Sequence, residues 1–174
     1  MLEALLADFN APFQSVAVET VVVRLITAVV LGAAIGFERE YHAHSAGLRT
    51  HILISLAACL FTLIAFELIN VEIAGAADQQ TDPLRLIEAV TAGVAFLAAG
   101  SIITSGGQVH GLTTGAGMWL AGAIGLACGT GRIVLALIAT GIALVVLWML
   151  RTASSAIAAR ARTLGDGDGR PSTD

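Results

Sequence analysis

Residues 112–129 and 133–150 form two runs of 18 residues without a single Asp, Glu, Lys or Arg. Hydrocarbon offers no water to a backbone amide, so such a run crosses it as a helix that closes its own hydrogen bonds. About 20 mostly apolar residues span a bilayer core, and three further windows approach that length. Window 20–37 carries Arg24 near its start, window 52–70 carries Glu67 near its end, and window 84–104 carries Arg85 and Glu88 in its first turns. The expected fold is an all-α integral membrane protein, a bundle of about five transmembrane helices. Between the last two windows lies only Gly129-Thr130-Gly131-Arg132. That is long enough for a tight helical hairpin, with one long kinked helix as the rival.

Sparse charge makes the same point. Charged residues are 13% of the 174, against about 25% in a soluble domain, too few to cover a water-facing surface. Nine arginines and no lysine stand against 13 acids, a net charge of −4 with no basic patch, so nucleic acid is not an expected partner. The lipid bilayer is, together with a membrane-protein partner or a homo-oligomer. Cys59 and Cys128 show no metal spacing and read as small apolar core residues.

Sorting the charges by side gives an orientation. With five spans, Arg39, Arg49, Arg151, Arg160, Arg162 and Arg170 share one face of the membrane. Arg24, Arg85 and Arg132 share the other with Glu3, Asp8, Glu19, Glu67, Glu72, Asp78, Asp82 and Glu88. The positive-inside rule then places the N-terminus outside and the C-terminus in the cytoplasm. Residues 1–19 read as an outer segment lacking the positive start of a signal peptide. Residues 20–150 read as the membrane domain, and 151–174 as a short, disordered cytoplasmic tail.

Lipid tails give helices no hydrophobic reason to associate, so small residues that let backbones approach mark contact faces. Three stripes stand out: Ala28, Gly32 and Gly36; Ala92, Ala95 and Ala99; and Gly111, Gly115, Met118, Gly122, Gly125 and Gly129. Gly93 and Gly100 are further packing candidates. The third stripe marks 112–129 as the central helix; a backbone-lined path for an ion or solute is its rival reading. Arg24 and Glu88 continue the first two stripes at one depth, so those faces are expected to meet with Arg24 and Glu88 paired. The alternatives are an Arg85–Glu88 pair along one helix and an Arg24 that reaches the headgroups. With Asp82 these residues form an outer candidate cluster.

The inner ends hold a second cluster: Glu38, Arg39, Glu40, Gly47, Arg49, Thr50, His51, His110, Thr113 and Thr114. A hydrogen-bonded lock between loops is the plain reading. His42 and His44 with two glutamates offer donors to a divalent metal, and whether a metal binds stays open. No cofactor is expected. Neither a Ser/His/Asp set nor HExxH appears, so an enzyme is not expected. The two remaining classes are a membrane regulator and a small oligomeric channel or transporter.

Several blocks now carry a resemblance: Gly32-Ala-Ala-Ile-Gly36-Phe-Glu38-Arg39-Glu40, Ala46-Gly47-Leu48-Arg49-Thr50-His51, Asp82-Pro83-Leu84-Arg85, Gly93-Val-Ala-Phe-Leu-Ala-Ala-Gly100, and His110-Gly111-Leu112-Thr113-Thr114. In order and spacing across 20–150 the chain resembles the MgtC/SapB family. The resemblance implies a bacterial inner-membrane protein of about five helices. It further implies a link to growth under magnesium limitation and, in pathogens, to survival inside macrophages. The namesake is associated with restraint of the ATP synthase and is not regarded as a magnesium transporter. Departures are Ala95 and Ala98 for glycines, His110 for an arginine, His42 and His44 for basic residues, and Glu88 where a small apolar residue is usual. The namesake's cytosolic C-terminal domain is not expected in the roughly 24 residues that follow the last window, and the shorter SapB-like branch is the expected fit.

Overall fold

The computed structural model describes residues 16–41, 45–70, 83–105 and 107–166. Among them are five helices: α1 Val18–Tyr41, α2 Leu48–Asn70, α3 Pro83–Gly100, α4 Leu112–Gly129 and α5 Ile133–Asp166. Four of these, all but α3, are long and apolar enough to cross a membrane. Two compact units divide the chain, 1–140 and 141–174. The packing below is that of the first; the second holds, among the described residues, the remainder of α5.

α1, α2 and α4 form the centre, and α3 packs on α4 and only lightly on α2. Glycine registers fix the directions. A methyl group at Gly32 would stand 2.8 Å from the His51 carbonyl oxygen, and one at Gly36 2.8 Å from Leu48 Cα, so α1 runs antiparallel to α2. Gly117 faces His51, Gly125 faces Ser55 and Ala58, and Gly129 faces Thr62 and Cys59, so α4 runs parallel to α2. Gly122 faces Val94 and Gly115 faces Ala98, so α3 runs antiparallel to α4 and lies alongside its length.

The bundle is largely apolar inside and out, and sorted by size. Its interior is lined by Ala28, Ser55, Ala58, Cys59, Ala121 and Cys128, with Ile35 and Ile124 as the largest apolar residues fully enclosed. Large side chains such as Phe37, Leu53, Phe61, Phe96 and Val134 point outward. This is the arrangement lipid favours, because close backbone packing and not burial of bulk holds membrane helices together.

The α4–α5 connection takes the hairpin form. The Gly131 N–H donates to the Cys128 carbonyl at 2.9 Å and the Arg132 N–H to the Ala127 carbonyl at 2.8 Å. Gly131 holds φ at +77°, the left-handed residue that this helix ending requires. The 105–111 loop is more ordered than its composition implies. Ile103–Ser105 (β1) and Gln108–His110 (β2) pair antiparallel, Ser105 opposite Gln108. Gly107 in the turn holds φ at +78°, a left-handed conformation that glycine adopts readily.

Three expectations about the helices are corrected. The Ala92, Ala95, Ala99 face of α3 does not meet α1: it is exposed, and Val90, Val94 and Ala98 are buried instead. Gly93 and Gly100 face open space rather than a neighbouring helix. Helix α5 continues to Asp166, through a stretch expected as tail. That stretch is rich in Ala and Arg, which have high helix propensity.

Candidate functional site at the α1–α2 helix ends

The turn from α1 into α2 is organised by Glu40. The Leu48 N–H donates to Glu40 Oε2 at 3.0 Å. A carboxylate at the first N–H of α2 meets an orphan donor and the positive end of the helix dipole together. Gly47 is required beside it, because the Glu40 carboxylate occupies the place a side chain at Gly47 would take.

One turn deeper, His51 is fully buried. Its Nδ1 lies 2.9 Å from the Gly47 carbonyl oxygen. A carbonyl only accepts, so Nδ1 carries the proton and, in the neutral ring, Nε2 is left as an acceptor. Nε2 has no hydrogen-bond partner among the described residues and points at Gly117 of α4, 3.1 Å from where a methyl group would stand. Arg39 is 3% exposed. Its Nη1 lies 3.8 Å from Glu38 Oε2, while Nε and Nη2 have no hydrogen-bond partner among the described residues. Buried polar atoms of this kind are uncommon in folded proteins, and each is costly.

Glu38, Arg39, Glu40, Gly47 and His51 are thus drawn to one end of the bundle. The other inner candidates are not bonded into it. Arg49 is exposed, Thr50 half-buried, His110 exposed on β2, Thr113 exposed and Thr114 buried in the first turn of α4. His42 and His44 lie outside the described residues, as does Asp82. No group of three or more His, Cys, Asp or Glu stands close enough to hold a metal among the described residues.

At the opposite end, the expected Arg24–Glu88 pair is not formed. Arg24 Nη1 donates to the Gly129 carbonyl at 2.8 Å, and its guanidinium packs against Gly131. The last carbonyls of a helix lack partners and carry its negative dipole end, so the cation is satisfied by α4 without crossing to α3. Arg85 and Glu88 are both exposed.

Two features beside this site lie outside the candidate residues that the sequence marks. Gly117 falls outside the heptad stripe of 112–129, yet it is the glycine that faces His51. His51, Ser55, Cys59 and Thr62 recur at intervals of four, four and three and are all fully buried. That small polar stripe on α2 is visible as a period in the sequence. Ser55 Oγ donates to the Ala28 carbonyl at 2.8 Å and Thr62 Oγ1 to the Ala58 carbonyl at 2.7 Å.

The family model described as MgtC family matches residues 25–156. The chain belongs to the MgtC family. Both clusters fall inside the match except for Arg24, which lies one residue before it. This MgtC-family chain is 35% identical over 130 residues to the "Putative magnesium transporter YhiD" of Escherichia coli K12, covering 72% of the chain and 58% of the relative. It is 35% identical over 136 residues to the protein MgtC of Salmonella typhimurium, covering 78% and 54%. An uncharacterized protein of Synechocystis is 34% identical over 134 residues, covering 77% and 53%. The chain therefore spans about half the length of the curated relatives it matches. No solved structure matches it. With membrane-crossing helices and family agreeing, it is a multi-pass membrane protein in contact with the bilayer.

Proposed function

We propose that this MgtC-family protein works in magnesium homeostasis as a non-catalytic protein of the bacterial inner membrane, adjusting a membrane complex or the ion balance when magnesium is scarce. The observation that carries the reading is the buried Arg39–His51 cluster, clamped between α1, α2 and α4. A charged core is costly within a membrane bundle, and such residues are by default functional ones. The magnesium link rests on the name of the YhiD relative and on the family resemblance; the ATP synthase, as the first partner to examine, rests on the resemblance alone.

A channel or transporter is the second reading, and Arg39 and His51 are the residues that favour it. Against it, a cavity of about 680 Å³ between α2 and α3 is lined by apolar side chains such as Leu53, Phe61, Val90 and Leu97. An ion path needs polar groups along it.

The test is growth at limiting magnesium of a bacterium lacking its own MgtC-family genes. The parent chain is expected to restore growth, and Arg39→Ala, present in the membrane at an equal level, is expected not to. Full restoration by Arg39→Ala removes the cluster from the function. Magnesium flux in proteoliposomes that disappears with Arg39→Ala makes the protein a transporter instead of a regulator.

A further inference from the structure

Helix α3 has a second face that no described residue of the same copy covers. Arg85, Glu88, Ala92, Ala95 and Ala99 recur at intervals of three, four, three and four, and all five are exposed. The buried stripe, Val90, Val94 and Ala98, lies on the opposite side of the helix at the same period. The helix is thus two-faced, one face spent on α4 and the other open.

Its position sets the chemistry of the open face. α3 lies antiparallel to α4, Ala98 against Gly115 and Val94 against Gly122, with Ile87 and Leu126 lining one groove at the far end. Glu88 therefore stands about one helical turn inside the end of α4 marked by Gly129, level with the last turns of a helix apolar enough to cross a membrane. A carboxylate and a guanidinium turned toward lipid are costly and are normally paired. Among the described residues of one copy, no ion pair joins Arg85 to Glu88. Arg24, a cation of the same end, is taken by the Gly129 carbonyl.

We propose that this face of α3 is the contact between two copies of the chain, with Arg85 of each copy paired to Glu88 of the other. A twofold axis along the membrane normal sets two α3 helices side by side and parallel. Such an interface is self-complementary, residue i meeting j as j meets i. Opposite charges three residues apart satisfy that condition twice. Below them Ala92, Ala95 and Ala99 let the two backbones approach, the packing that small residues provide between membrane helices. The occupant is a second copy because the face carries its own complement, one cation and one anion at neighbouring levels. The dimer forms whether or not the Arg39 cluster has the role proposed above.

Single-cysteine variants of the full chain, oxidised with copper phenanthroline in membranes, test this. Ala95→Cys and Ala99→Cys are expected to give disulfide-linked dimers. Leu53→Cys, also exposed but on α2, is expected to stay at the background of the parent, whose Cys59 and Cys128 are buried. In the Ala95→Cys chain, Arg85→Glu or Glu88→Arg alone is expected to lower the cross-linked fraction about threefold, the scale of an exposed ion pair, and the two together to restore it. These positions have open surroundings, so the variants keep the parent's membrane level and helicity. Cross-linking at Leu53→Cys as strong as at Ala95→Cys overturns the proposal. So does a double swap no better than either single change, a chain that stays monomeric (lipid alone on the face), or an adduct of another mass (a different protein there).

Discussion

Gly125 is the position where packing and helix propensity oppose each other most directly. A methyl group there would collide with the Ser55 carbonyl oxygen and lie 2.8 Å from Ala58 Cβ, against the 3.5–4.0 Å at which such carbon atoms rest. Neither obstacle is the free end of a long side chain: one is backbone and the other the methyl of a buried residue. Helices α2 and α4 must therefore separate by roughly 1 Å, and overpacking of this kind costs about 1–3 kcal/mol. With a backbone oxygen and a buried methyl both in the way, the cost lies in the upper part of that range, about 2–3 kcal/mol; alanine returns at most about 1 kcal/mol of helix propensity over glycine, which leaves Gly125→Ala about 1–2 kcal/mol less stable. Gly93 provides the control. A methyl group there meets nothing within 4 Å, so Gly93→Ala keeps the propensity gain and is expected to be neutral or stabilising by up to about 1 kcal/mol. Unfolding in mixed detergent micelles, followed by helicity, reads both. Equal stability of Gly125→Ala and the parent, or equal losses at the two positions, refutes the close approach of α2 and α4.

Two further substitutions probe the helix ends. Arg24→Ala removes a charged hydrogen bond to the last turn of α4 and is expected to cost about 1.5–3 kcal/mol in the same unfolding assay; Glu88→Ala, exposed and outside that contact, is expected to leave monomer stability unchanged. Glu40→Ala strips the cap from α2 and is expected to cost about 1 kcal/mol, with faster hydrogen exchange at the Leu48 amide, while Glu40→Gln retains an acceptor and most of the protection. Unaltered exchange at Leu48 in Glu40→Ala would falsify the capping role.

The inner cluster is partly legible in the sequence. Glu38, Arg39 and Glu40 close one apolar window while Gly47 and His51 open the next, so a short loop has to bring them near each other. The individual bonds are not legible. Whether Glu40 or Glu38 caps α2 depends on which way the last turn of α1 faces, a rotation of about 100° per residue that the loop does not encode. His110 and Thr113 look equivalent to their neighbours by side, yet side is a coarser coordinate than contact. At the other end, Arg24 and Glu88 share a depth and opposite charges. Depth does not select a partner when a long cation also finds helix-terminal carbonyls within reach.

The sequence by itself determined the four helices apolar enough to cross a membrane, because hydrocarbon imposes that answer locally: a run of apolar residues must close its own backbone hydrogen bonds wherever its neighbours stand; the extent of α3 and the helical stretch past residue 150 lay outside that rule. Glycine at 131 likewise made the hairpin possible, since a helix end of that shape needs a left-handed residue. Tertiary structure alone decided which faces meet. A stripe of small residues says that a backbone can come close and not whose backbone it is. Thus Gly32 and Gly36 went to α2, Gly125 and Gly129 to α2 as well, and the alanine face of α3 was left open. That assignment rests on the simultaneous fit of several helices, a many-body condition that no single stretch of sequence contains.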